Sequence, residues 1–252
     1  MALAFPAYRE ISPIGELAFV DLHLAETAVF ALEMSLAGGL VVAALVMVLP
    51  RFMVGVAAAR LAAAVILGGL LATGLARMLL GGAPYSQWTL VAEAARYAVP
   101  LALLLLATKA QRPSAWILRI GIALTFAAHG REALAHTPRF VDLILIADGH
   151  VSGLLEGHRL FDEASARTLL TGIGAIDLGL AVLGLVMRSR ALWLYMAFWG
   201  FLTAASRVLA GGLDWWPAAL ERLPNGAAPL ALVLLAGSLA RSPKSSDHAP
   251  PA

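Results

Sequence analysis

Seven largely apolar stretches of this chain, from 15 to 27 residues long, constrain its fold more than anything else in the sequence. The hydrocarbon core of a bilayer needs about 20 such residues per helix, and the stretches lie at about 26–49, 54–80, 88–108, 115–136, 168–187, 190–211 and 227–241. Pro50-Arg51, Gly81-Gly82-Ala83-Pro84, Gln111-Arg112-Pro113-Ser114 and Arg188-Ser189-Arg190 separate neighbours with residues that end helices. Composition agrees: 13% of the 252 residues are charged, about half the share in soluble domains, and mean hydropathy is +0.82. The expectation is an all-α, polytopic transmembrane helix bundle of about seven spans, with the lipid bilayer as its first partner. The absence of Cys excludes thiolate metal sites, CxxC redox motifs and disulfides. A net charge of +2 gives no footprint for nucleic acid.

Lys and Arg in short loops set orientation. Arg51, Lys109, Arg112, Arg188, Arg190, Arg241 and Lys244 fall on one side, against Arg9, Arg77 and Arg222 on the other. That bias predicts an outside N-terminus and an inside C-terminus, in a membrane such as the bacterial cytoplasmic (inner) one. The run Pro138 to Ile146 is too short to span and reads as an interfacial or re-entrant helix. Residues 156–167 read as a surface segment, 213–228 as a re-entrant loop, and 242–252 as a disordered cytoplasmic tail. The chain divides into an N-terminal three-helix unit, 1–110, and a four-helix unit, 111–241.

Two stretches about 130 residues apart echo one another. Thr73, Arg77 and Gly81-Gly82 correspond to Thr203, Arg207 and Gly211-Gly212. Downstream, Trp88, Glu93 and Pro100 correspond to Trp216, Glu221 and Pro229. Two related three-helix units in the same orientation, around an unpaired fourth helix, would suit a small-solute or ion transporter.

Ionisable groups within spans are costly and usually face partners or a cavity. Glu33, Arg77, Glu93, Arg96, His129, Glu132, Asp177 and Arg207 fall mostly in the outer half under this topology. They are expected to meet in an outward-opening polar chamber, with Trp215 and Trp216 at its mouth or in the interfacial belt. Glu33, Arg77, Glu93, Arg96, Asp177, Arg207, Trp215 and Trp216 are the candidate ligand-binding residues. His129 and Glu132, three apart on one helix face, are the catalytic candidates by proton relay or hydrogen bonding. The alternative is that such pairs only hold helices together. No metal site is expected. Helix-bundle di-iron sites use Glu-x-x-His, the reverse of His23-x-x-Glu26 and His129-x-x-Glu132. Bis-histidine haem needs a second in-span His, and a retinal Schiff base needs a mid-span Lys, whereas Lys109 and Lys244 lie outside the spans.

Arg119, Gly121, Phe126, His129-Gly130 and Leu134, then Pro138 and Phe140, then Gly174, Asp177, Gly179 and Gly184, and finally a Pro229-led helix ending at Arg241, form an ordered pattern. Over about residues 115–241 this pattern resembles the DoxX-type membrane proteins, with Arg131-Glu132 standing where that family tends to a lysine. The resemblance implies a four-helix membrane bundle and a subunit of a membrane redox system, with a quinone or similar apolar ring as ligand and other redox subunits as partners. A non-catalytic accessory or assembly role is a further alternative.

Overall fold

The computed structural model describes residues 12–49, 51–80, 87–108, 110–154 and 157–241, which form helices and connections with no strand among them. Pro50, the Gly81–Pro84 turn, Lys109, Glu156 and the tail from Ser242, Lys244 included, lie outside the described residues.

Ten α-helices follow in order among the described residues: α1 (Pro13–Val20), α2 (Glu26–Val48), α3 (Arg51–Leu80), α4 (Thr89–Ala92), α5 (Ala94–Leu106), α6 (Gln111–Leu134), α7 (Pro138–Leu154), α8 (Glu163–Val186), α9 (Arg190–Gly211) and α10 (Trp216–Arg241). Local chemistry explains the boundaries. Ser12 caps α1 by accepting from the Gly15 N–H at 3.1 Å, and Pro13 takes the first helical position, where no N–H is needed. Asp162 and Ser165 form a reciprocal capping box that starts α8. Gly212, at φ +66°, takes the chain out of α9 in a conformation few other residues tolerate.

Among the described residues, four helices are long and apolar enough to cross a membrane by length and composition: Glu26–Val48, Gly55–Leu80, Glu163–Val186 and Arg190–Gly211. Their outer faces are bare. Val48 is 83% exposed on α2, Val186 69% on α8 and Phe198 61% on α9. Apolar faces of this extent suit lipid rather than water.

The other expected spans differ from the sequence reading. The 88–108 stretch is interrupted at Glu93, where the backbone leaves helical geometry, so α5 is only 13 residues long. Helices α6 and α10 are 24 and 26 residues long, but their polar residues keep them out of the strongly apolar set. The segment 213–228, expected as a loop, is a short 3₁₀ turn followed by the first half of α10. Its Pro224 and Pro229 lie inside the helix, and each removes one backbone donor rather than ending it. Helix α8 starts at Glu163 rather than 168 because the capping box sets its first turn.

One core joins α5, α6, α8, α9 and α10 through Ala98, Ile122, Phe126, Leu180, Met196 and Leu232. Residue 110, the expected boundary between units, falls between α5 and α6, and those two helices share this core. Close approach depends on glycine. A Cβ on Gly174 would lie 2.7 Å from the Gly130 carbonyl oxygen, and one on Gly200 would lie 2.4 Å from the Asn225 backbone. Small residues at crossings are how helices pack where lipid supplies no hydrophobic drive. Arg119, 6% exposed, closes the end of α8 by donating to the carbonyls of Gly184 and Met187 at 3.1 and 3.0 Å. Helix α7 is the short helix the sequence indicated. It packs against both α8 and α9, which meet each other in few places, and buries Phe140 and Val141 against Ala166 and Leu170.

Candidate functional site

The helix ends that carry ionisable residues gather at one end of the bundle. Arg77 comes from the last turn of α3, Glu93 from the α4–α5 break and Arg96 from the first turn of α5. His129 and Glu132 come from the end of α6, Arg139 from the start of α7, Arg207 from the last turns of α9, and Glu221 and Arg222 from the start of α10. Two adjoining cavities lie among them.

The first is ionic, about 170 Å³, and its lining includes Arg77, Glu93, Arg96, Glu132, Arg139 and Glu221. Glu93, 7% exposed, is its hub. Its carboxylate pairs with Arg77, takes Arg96 Nη1 at 3.1 Å, and accepts from the Tyr97 hydroxyl at 3.0 Å. Glu221 receives Arg77 at 3.3 Å and Arg96 at 3.6 Å from the other side. Two acids and two guanidiniums thus alternate, an arrangement that makes buried ion pairs tolerable. Glu132 pairs with Arg139 and stands 3.5 Å from His129 Nδ1.

The second cavity, about 240 Å³, is lined mostly by apolar side chains of α6, α7, α8 and α9, among them Phe126, Phe140, Ile144, Leu170, Ile173 and Leu202. Asp177 stands on its wall and accepts from the Trp199 indole N–H at 2.7 Å. His129, Arg222 and Asn225 line both cavities, and Arg207 lines the apolar one. Phe140 meets the His129 ring edge-on at 6.2 Å. His129 Nδ1 and Arg207 Nε are buried without a hydrogen-bond partner. A shallow apolar groove between α8 and α9, including Leu169, Ile173, Ile176 and Trp199, lies on the outside of the same wall. Ile173 and Trp199 belong to both the groove and the apolar cavity.

No family model, curated protein or solved structure matches this chain. Its site is therefore read from its own geometry.

Of the residues the sequence singled out, Arg77, Glu93, Arg96, His129, Glu132, Asp177 and Arg207 line one or the other cavity. Glu33 does not. Its carboxylate accepts from the Ser12 hydroxyl and backbone N–H, tying α1 to α2. Trp215, at the end of the 3₁₀ turn, and Trp216, the first residue of α10, are 37% and 41% exposed and line neither cavity. Sequence reasoning left Glu221, Arg222 and Asn225 in a loop and Arg139 in an interfacial segment. The signal for Glu221 was present in its echo of Glu93. His23 precedes α2 in a left-handed backbone conformation, and no cluster of three metal-ligating side chains occurs among the described residues.

Proposed function

We propose that this protein is an integral membrane protein that binds a lipid-soluble molecule, seating its apolar body in the cavity among α6, α7, α8 and α9. The polar end would face His129, Arg207, Arg222 and Asn225. The observation that carries this reading is the junction itself: an apolar cavity closed at one end by polar side chains, one of which, Arg207, holds a buried nitrogen without a hydrogen-bond partner. Ligand sites commonly combine an apolar lining with a few convergent polar groups. A buried donor without a partner is costly enough to call for an acceptor. The groove between α8 and α9 lies against the cavity, with Ile173 and Trp199 lining both, so a movement of these two side chains would open a path from the bilayer.

The finer proposals keep their sources in the sequence. Seven spans, an outside N-terminus and a bacterial inner membrane follow from the hydropathy blocks and the loop charges. A DoxX-like role as subunit of a membrane redox system, with a quinone as occupant, redox subunits as partners, and His129 and Glu132 in proton transfer, follows from the resemblance over 115–241. The cavity itself supports only the binding of a lipid-soluble molecule.

Filling the cavity tests the reading. The purified protein in neutral detergent should bind at least one of decyl-ubiquinone, laurate and dodecyl phosphate saturably. Ala147→Trp, which inserts a ring from α7, should abolish that binding while far-UV circular dichroism stays unchanged. Absence of saturable binding by all three, or binding indifferent to Ala147→Trp, would overturn it.

A further inference from the structure

Charge at the seam between the cavities does not balance. Five arginines line the two cavities, Arg77, Arg96, Arg139, Arg207 and Arg222, against Glu93, Glu132, Glu221 and Asp177. Arg77 and Arg96 engage Glu93 and Glu221, and Arg139 engages Glu132. Asp177 is held by Trp199 and makes no ion pair among the described residues. Arg207 and Arg222 are left, and among the described residues no carboxylate lies within ion-pair distance of either. They face the same cavity and repel each other. Arg222 also sits in the second turn of α10. Two guanidiniums without an ion-pair partner beside an apolar wall, one of them drawn only at longer range by Glu221, are unfavourable by themselves, and an oxyanion between them removes the deficit.

We infer that the occupant of this site carries an anionic oxygen head, a carboxylate or phosphate monoester, on an apolar chain. The head lies between the guanidiniums of Arg207 and Arg222, and the chain runs past Phe126 and Ile144 toward the groove at Ile173 and Trp199. This rests on the binding function proposed above and names its ligand class. The fork of each guanidinium matches two oxygens of such a head, which a point charge would not do. His129 lines the same cavity and stands beside the head. A neutral ring has no charge to offer the two arginines.

Dodecyl phosphate, laurate, 1-dodecanol, decyl-ubiquinone and inorganic phosphate, each titrated against the delipidated protein in a neutral detergent, test the inference. Dodecyl phosphate and laurate should bind at least tenfold more tightly than dodecanol and decyl-ubiquinone. Arg207→Gln and Arg222→Gln should each weaken the anions tenfold or more and leave dodecanol unchanged. Inorganic phosphate alone should bind far more weakly than its dodecyl ester. A readout without ligand separates binding from structure: Arg222→Gln should raise the thermal midpoint of the ligand-free protein, because it removes an uncompensated charge. A lowered midpoint would identify Arg222 as a structural brace and overturn the inference. Equal affinity for neutral and anionic amphiphiles, unaffected by both substitutions, would overturn the anionic head and leave the cavity as a neutral-lipid site. Inorganic phosphate binding as tightly as its dodecyl ester would point to a free anion and overturn the amphiphile. No binding by any of the five would sink the underlying function as well.

Discussion

Replacing Glu93 by Gln keeps the shape of the side chain and an oxygen to accept from Arg77, but deletes the charge that two guanidiniums share. The side chains of Arg77, Glu93 and Arg96 are 11%, 9% and 6% exposed, so solvent screens them little. At an effective dielectric constant near 20, a pair of unit charges about 4 Å apart is worth about 4 kcal/mol. Glu93 has two such contacts, partly replaced in the variant by neutral hydrogen bonds. Glu221 would be left to serve both cations from 3.3 and 3.6 Å. The net cost should fall in the range of about 3–5 kcal/mol observed when one member of a buried pair is removed. Glu221→Gln, at a group 17% exposed with longer contacts, should cost roughly half as much. Reversible unfolding in mixed micelles, followed by circular dichroism, measures both. A double variant, Glu93→Gln with Arg77→Gln, should cost less than the sum of its singles, because it leaves fewer orphaned charges. A loss below about 1 kcal/mol for Glu93→Gln, the value of a solvated surface pair, would refute the claim that the cluster is buried.

Two further outcomes are expected. Gly174→Val pushes side-chain carbons against the Gly130 carbonyl, which lies 2.7 Å from the position of a Cβ, and should destabilise the α6–α8 crossing by about 1–3 kcal/mol in the same unfolding assay. Asp162, exposed at the start of α8, is held below the ordinary carboxylate range by hydrogen bonds from Ser165, side chain first and backbone second. A folded value below the unfolded one means that the cap is fully effective above about pH 4 and is lost as pH falls through the depressed value. Amide exchange in the first turn of α8 should therefore speed up in strong acid, and Asp162→Ala should show the fast exchange already at neutral pH. Exchange that ignores both changes would contradict the capping box.

Much of the fold was legible because long apolar helices show their length in hydropathy alone. Helices α2, α8 and α9 lie close to the apolar blocks that announce them. The end of α3 and the short helix α7 were also visible. What hydropathy misses is polar helix. The first half of α10 carries Glu221, Arg222, Pro224 and Asn225, a composition indistinguishable from a loop until it packs against α9 at Gly200. The break at Glu93 was hidden for the opposite reason, since its surroundings are apolar enough to read as one span. Most of the ionisable residues that line the two cavities were legible because a charge within an apolar stretch has few places to go. Glu33 was the exception: Ser12, close in space but 21 residues away in sequence, meets its need locally. The echo between the halves was informative in a way that alignment did not foresee. Glu93 and Glu221, its matching acids, both serve Arg77 and Arg96, which leaves Arg207, the counterpart of Arg77, without one.

A map of the protein purified in lipid nanodiscs, at a resolution that shows side chains, tests the central claim most directly. It should show density filling the cavity between α6, α7 and α9, with one end about 3 Å from the guanidiniums of Arg207 and Arg222 and the other reaching the gap between α8 and α9. A closed, empty cavity with both arginines turned outward to lipid headgroups would contradict it.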